Sequence, residues 1–330
     1  MDTDARVLEA FLKMRIKHDR LDEAHRLYNT LRQVKRSCPR EPQRFGALFA
    51  PTQSGKSMSV TTYIETVVVK EAIDRGLFPA DMDPKLIAER QKIALHVTLS
   101  SQATPKSLAS DILEALGDPC PDKGTAQTLR YRAYKYMRHF GTEICFIDEI
   151  QHLSHKTVQA GGNASRSMFS ESTAVTDMLK CMLLHGLVPL VFIGIPEGRS
   201  HLFTDDQLSA RCVEELDFGE IDYADPVKRQ IFIDYCGRMG IKLQRHGLFE
   251  KRCNLLAGDL PACLHAVAGG RLGMASNLTM AACKCALRLG ADELKKEHFE
   301  MATDGWAIPR RLIDYNPFRN GIREIKIRAA

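Results

Sequence analysis

Ala50-Pro51-Thr52-Gln53-Ser54-Gly55-Lys56-Ser57 departs at one position from G-x-x-x-x-G-K-[ST], the pattern of a loop that wraps a polyphosphate. Such a loop curls so that successive backbone N–H groups face the anion. Gly55 permits close approach, Lys56 carries a point charge to the outer phosphates, and the Ser57 hydroxyl is placed to ligate Mg²⁺. The helix that must follow directs its positive end at the same anion. Pro51, Thr52, Gln53, Ser54, Gly55, Lys56 and Ser57 are therefore the candidate nucleotide-binding residues. Ala50 replaces the first Gly of the pattern, and a tighter local geometry is expected there. A second motif, Asp148-Glu149, closes the apolar run 143–147. A carboxylate at the tip of a buried parallel strand lies beside such a loop. Asp148 would hold Mg²⁺, directly or through water, and Glu149 would orient and deprotonate an attacking water. Together the motifs call for ATP and Mg²⁺.

The elements that must position these residues are legible around them. Apolar runs at 45–49, 93–99, 143–147 and 187–193 read as strands and alternate with helical patterns. Near-continuous apolar strands imply an α/β fold, a parallel sheet covered by helices on both faces. Upstream, apolar residues recur at helical spacing, predicting two helices with a break near residues 17–20, ended by Pro39 and Pro42. Residues 154–172 are rich in Ser and Gly, lack periodicity and read as a mobile surface loop. From Asp225, a cap followed by Pro226, the pattern is helical. The expected organisation is a helical extension over 1–40, a core over 41–224, a helical lid over 225–302 and a tail over 303–330, broken by Pro, Gly and Asn.

The chain has 330 residues, 44% hydrophobic and 26% charged, with 22 Gly and 14 Pro. These values exclude wholesale disorder and collagen-like or low-complexity character. The formal net charge of +5 permits nucleic-acid binding without requiring it, so the placement of the charge decides more than its sum. No apolar run reaches the roughly 18 residues of a membrane span. The acidic start lacks the basic and apolar segments of a signal peptide, so a cytoplasmic protein is expected. The ten cysteines show no C-x-x-C pair and sit mostly in apolar contexts, as reduced buried thiols would.

Four segments in order, APTQSGKS, EICFIDEIQHLSHK, LVPLVFIGIPEG and QLSARCVEELDF, resemble the TniB-type transposon ATP-binding proteins of the AAA+ class. They are also similar to TnsC and, more distantly, to the Mu phage B protein. The resemblance covers roughly residues 20–302, and Asp148-Glu149-Ile150-Gln151-His152-Leu153 is its most specific element. It implies an AAA+ P-loop NTPase core followed by a small all-α lid. It implies an ATP-dependent regulator of DNA transposition that oligomerises on double-stranded DNA as a ring or helical filament. Such a protein links a target-selection protein to the transposase. It places Arg211 as the arginine that reaches a neighbouring subunit's nucleotide, joining Glu149 as a catalytic residue.

Three positions depart from the pattern. Ala50 is one. Ile195 stands where a polar residue normally senses the terminal phosphate, with Glu197 the nearest polar candidate. Residues 258–263, ending in Cys263, lack a sensing arginine. A slow, switch-like ATPase is expected. The resemblance puts DNA contacts in the region after the second strand, hence Lys106. The helix carrying Arg130, Arg132, Lys135 and Arg138 interleaved with tyrosines is a second candidate, or else an ordinary solvated face. The basic tail (Arg310, Arg311, Arg319, Arg323, Lys326, Arg328) is a third, expected to be poorly ordered without a partner. Two competing readings remain: a nucleotide-switched protein scaffold that never touches DNA, and a helicase loader or initiator-type ATPase. The last would be expected to add a winged helix, for which the chain leaves no room.

Overall fold

The fold was analysed in a computed structural model, which describes residues 2–101, 103–153 and 164–323, with 164–173 described through their backbone alone. The elements run α1 (Thr3–Lys13), α2 (Asp19–Ser37), β1 (Phe45–Phe49), α3 (Lys56–Tyr63), α4 (Val69–Asp74), α5 (Pro84–Arg90) and β2 (Ala94–Thr98). They continue with α6 (Pro105–Leu116), α7 (Ala126–Phe140), β3 (Ile144–Asp148), α8 (Ala164–Leu184), β4 (Leu190–Gly194), α9 (Ser200–Phe203), α10 (Asp206–Ser209) and β5 (Cys212–Glu215). The remainder is helical: α11 (Pro226–Arg245), α12 (Leu260–Ala268), α13 (Leu272–Arg288), α14 (Lys296–Ala302) and α15 (Pro317–Asn320). The chain divides into two units. One comprises Arg20–Thr52 with Lys56–Phe218; the other comprises Met1–Asp19, Gln53–Gly55 and Gly219–Ala330.

The first unit is a five-stranded sheet in the order β2-β3-β4-β1-β5, with every pair parallel. Successive strand side chains point to opposite faces. Phe45, Cys145, Ile147, Leu190 and Phe192 enter a core shared with α6, α7 and α8. Leu48, Phe146, Val191 and Ile193 enter a second core, with α2 through α5. The double covering is why these strands read as unbroken apolar runs. α3 and α4 are joined by a π-helical turn at Ile64–Val68. α6 opens on a capping box, Thr104 with Ser107, with Pro105 at its first position.

Three expectations change. β5 does not appear in the sequence reading, because Cys212–Glu215 lies at the sheet edge with only alternate positions sheltered, and charged Glu214 and Glu215 break the apolar signal. α8 begins at Ala164, so 164–172, read as loop, is helical; this stretch contains no Gly or Pro to stop a helix. The remainder of the expected mobile loop, 154–163, lies outside the described residues.

The third change is in the second unit, where the tail packs over 303–320. α14 runs into a π-helical turn at Thr303–Ala307. Phe318 is buried and stacks on Phe299 with ring centroids 5.4 Å apart. Asn316 donates from Nδ2 to the Glu300 carbonyl at 2.9 Å and to Asp304 at 2.7 Å, and its Oδ1 accepts the Phe318 N–H. The Asn-Pro-Phe sequence is thus a helix cap with a buried ring. Lys326 and Arg328 lie outside the described residues. The core of this unit joins Val7 and Ala10 of α1 to α11 through α14. The ten cysteines are all free thiols. Among the described residues no helix is long and apolar enough to cross a membrane.

Candidate functional site

The phosphate loop follows β1 and runs into α3. Its backbone enters the left-handed region at Gln53 (φ 63°) and Gly55 (φ 96°). Alternating handedness of this kind turns successive N–H groups to one side, forming a concave anion cradle. A Cβ placed on Gly55 would meet nothing within 4 Å, so the glycine serves backbone conformation and the approach of a ligand. Ala50 is not left-handed. Its side chain is buried in the core on the α2–α5 side, where a methyl has a place, so no glycine is required.

Lys56 donates to the carbonyls of Ala50 at 2.7 Å and Pro51 at 2.8 Å. Burial lowers its pKa, and the charges of Asp148 and Glu149 oppose that shift. The Ser57 hydroxyl donates to Asp148 Oδ2 at 2.7 Å. Asp148 ends β3, is almost wholly buried, and takes the Glu149 N–H on Oδ1 at 2.8 Å. The ring of His96, on neighbouring β2, brings Nε2 within 3.2 Å of Asp148 Oδ2. Burial would raise the Asp148 pKa, but the bonds from His96 and Ser57 outweigh it, so the carboxyl lies below its ordinary range. Lys56, Ser57, Asp148 and Glu149 therefore gather at the finishing ends of the strands. Two hard oxygens, from Ser57 and Asp148, beside a phosphate cradle match what Mg²⁺ uses together with nucleotide phosphates and water. No cluster of three or more metal-ligating side chains occurs among the described residues, and such a cation needs none.

Arg211 stands apart. Its carbonyl accepts the N–H of Phe45, the first residue of β1, so it sits where the strands begin. The sheet separates it from Asp148 by the length of a strand, roughly 15 Å. Its Nε is buried and, among the described residues, has no hydrogen-bond partner. It lines a surface cavity of about 420 Å³ with Arg44, Lys180, Leu184, Gln207 and Ala210.

Lys106 is exposed in the first turn of α6, where the positive end of the helix dipole adds to its charge. Arg130 and Lys135 are exposed on α7, and Tyr131 between them is 71% exposed. Arg132, on the same helix, is differently engaged: it pairs with Asp118 at 2.7 Å and donates to the Cys120 carbonyl at 2.6 Å, bracing the loop between α6 and α7. In the tail, Arg319 is held by Glu300 and Asp304.

Sequence reasoning missed three participants: His96, Gln151 and α2. His96 was visible as the one titratable residue inside the apolar run 93–99. From α2, Tyr28 shares a 3.0 Å hydrogen bond with Ser59, whose hydroxyl donates to the Lys56 carbonyl at 2.7 Å. The helix thus supports the backbone that carries the phosphate-loop lysine.

Residues 39–202 match the family model described as "AAA domain". A comparison with curated proteins finds no match. Among solved structures, the chain is similar to the Aeropyrum pernix ORC2 protein in ADPNP–ADP complexes, with TM-score 0.57 and 12% identity over 90% of this chain and 71% of that one. It is similar to the Aeropyrum pernix ORC1 protein in complex with DNA, with TM-score 0.56 and 19% identity over 89% and 68%. Cdc6p from Pyrobaculum aerophilum follows, with TM-score 0.52 and 13% identity over 90% and 70%. Residues 39–202 are thus similar to an AAA domain, and the fold of the chain is the AAA+ fold of the ORC and Cdc6 proteins.

Proposed function

We propose that this chain is an ATP- and Mg²⁺-dependent ATPase that assembles on double-stranded DNA and regulates transposition, linking a target-selection protein to the transposase. The observation that carries the ATPase reading is the hydrogen-bonded group Ser57–Asp148–Glu149 beside Lys56 at one end of the sheet. Bound Mg²⁺ would neutralise phosphate charge. Lys56 would hold the outer phosphates, Ser57 and Asp148 would hold the cation, and the Glu149 carboxylate would take a proton from the attacking water. Arg211 cannot reach this group from its own chain. It would instead serve the site of a second copy, in a homo-oligomeric ring or filament. The transposition role rests on the TniB resemblance of the four motifs. DNA contact is supported by Lys106, Arg130 and Lys135, exposed on the adjoining helices α6 and α7, while Arg132 braces a loop. The ORC1 structure of the same fold, in complex with DNA, supports it at the level of the fold. Slow, switch-like hydrolysis accords with Ile195 at the β4 end and with Cys263 in α12, where no arginine is present.

The test is electron microscopy and DNA binding of the purified protein with ATP and duplex DNA at low salt. Ordered, ATP-dependent assemblies on DNA are expected, and Lys56→Ala should abolish them together with ATP binding. ATP binding without any DNA affinity would replace this reading with the nucleotide-switched protein scaffold. Equal ATP affinity in Lys56→Ala and the parent would overturn the phosphate-loop assignment.

A further inference from the structure

Gln151 stands between the Glu149 carboxylate and the end of β4. Its side-chain amide donates from Nε2 to Glu149 Oε2. Its Oε1 accepts the N–H of Ile195, the residue after β4, at 3.3 Å. One amide thus ties the acid to the strand end beside it, where Ile195 offers only a backbone group.

The surroundings are shaped around this bridge. A Cβ on Gly194 would stand 2.5 Å from Ile150 Cγ2 and 2.9 Å from Gln151 Oε1. A Cβ on Gly198 would stand 3.0 Å from Ile150 Cγ2 and 3.1 Å from the Gln151 nitrogen. Two glycines therefore leave room for the turn Ile150–Leu153 to press against β4 and the segment after it. Glu149 itself is left-handed, at φ 60°, a conformation a glutamate holds only when its neighbours fix it. Those neighbours are identifiable: Ile150 is fully buried, the Glu149 carbonyl accepts the His152 N–H at 2.9 Å, and His152 Nδ1 lies 3.0 Å from the Leu99 carbonyl. The backbone is fixed by packing, but the carboxylate at the end of a flexible side chain is not. The Gln151 amide supplies that last constraint.

We propose that Gln151 is a positioning residue for hydrolysis, holding the Glu149 carboxylate in register with the end of β4 so that it meets the attacking water. This rests on the ATPase reading above. A carboxylate left free to rotate would still be present and charged, but seldom aimed; misplacement by about 1 Å can cost roughly 10²-fold in rate.

The experiment measures ATP Kd, KM and kcat on the full chain. Gln151→Leu keeps the bulk and removes the amide. Its kcat should fall roughly 10- to 100-fold, with ATP Kd and KM within two-fold of the parent. Should that variant fail to fold, Gln151→Asn, one methylene too short to span both partners, carries the same expectation. Gly194→Ala approaches from the other side, because its methyl displaces the Gln151 oxygen, and should lower kcat without raising KM. A parent that hydrolyses ATP, a Glu149→Gln variant that does not, and a Gln151→Leu or Gln151→Asn variant within two-fold of the parent would overturn the inference alone. A parent with no ATP affinity would overturn the ATPase reading, and this inference with it.

Discussion

Glu149 and Arg211 are asked to act on the same phosphate, yet they occupy opposite ends of one sheet. That separation makes a sharp prediction at the scale of single residues. Glu149→Gln should keep ATP binding and lose roughly 10²- to 10⁴-fold in hydrolysis, the usual contribution of a general base. Arg211→Ala should keep ATP binding and lose roughly 10³-fold or more, the usual contribution of an arginine finger. Mixed in equal amounts, the two inactive variants should regain part of the parent's rate, because the site of one then meets the arginine of the other. No recovery on mixing would sink the idea that Arg211 acts between copies. Of this site, Lys56, Ser57, Asp148 and Glu149 were legible because each belongs to a contiguous motif with fixed spacing. His96 was not, and Gln151 stood within such a motif but without an assigned role. Their roles depend on which strand lies beside β3 and on how a turn presses on β4, and neither is encoded as local spacing.

Among the elements, α2 was legible as a helix but not as a support for the phosphate-loop backbone. Its partners are distant in sequence. Arg32 is wholly buried, donating to Glu143 at 2.7 and 3.0 Å, to Glu71 at 2.5 Å and to the Tyr63 hydroxyl at 2.9 Å. Arg75 also reaches Glu143, at 2.6 Å. The cluster fastens α2 to α3, α4 and the start of β3. Removing the central cation strips the buried charge-assisted hydrogen bonds while Arg36 and Arg75 still face both carboxylates, so Arg32→Met should destabilise folding by about 1–3 kcal/mol in urea denaturation. A loss under about 1 kcal/mol, the worth of an exposed ion pair, would show that the cluster is solvated and weak. The acid limb gives a second readout. Burial would raise the Glu71 pKa, but Arg32 and Arg75 outweigh it and hold the carboxyl below its ordinary value. A carboxyl lowered in the folded state contributes stability that is present above its unfolded pKa and is lost as pH falls through the folded one. In Arg32→Met that contribution should shrink, and acid unfolding should begin at higher pH. β5, α8 and the tail show the opposite limit of local reading: a charged edge strand, a Ser-rich helix and a capped Asn-Pro-Phe turn carry weak or misleading periodicity.

Across the whole molecule, the net charge of +5 understates how selectively the cations are used. Arg32, Arg132 and Arg319 are held by carboxylates, whereas Lys106, Arg130 and Lys135 are exposed. The double variant Lys106→Glu, Arg130→Glu should weaken duplex binding and flatten the plot of log K against log salt by about 1.8, or about 0.9 for each phosphate no longer neutralised. Arg132→Ala should leave that slope unchanged while loosening the loop between α6 and α7, read by hydrogen exchange of that loop. A slope unaffected by the double variant would move the DNA contacts elsewhere. The strand-end separation of Arg211 from Asp148 has one more consequence. Copies joined through it would meet head to tail, so an assembly would have a direction, and it would either close on itself or grow without limit. An open assembly always leaves one outermost copy whose nucleotide meets no arginine. That copy would hydrolyse last, and it would form a long-lived ATP-bound cap at one end only. Closing the ring removes the cap.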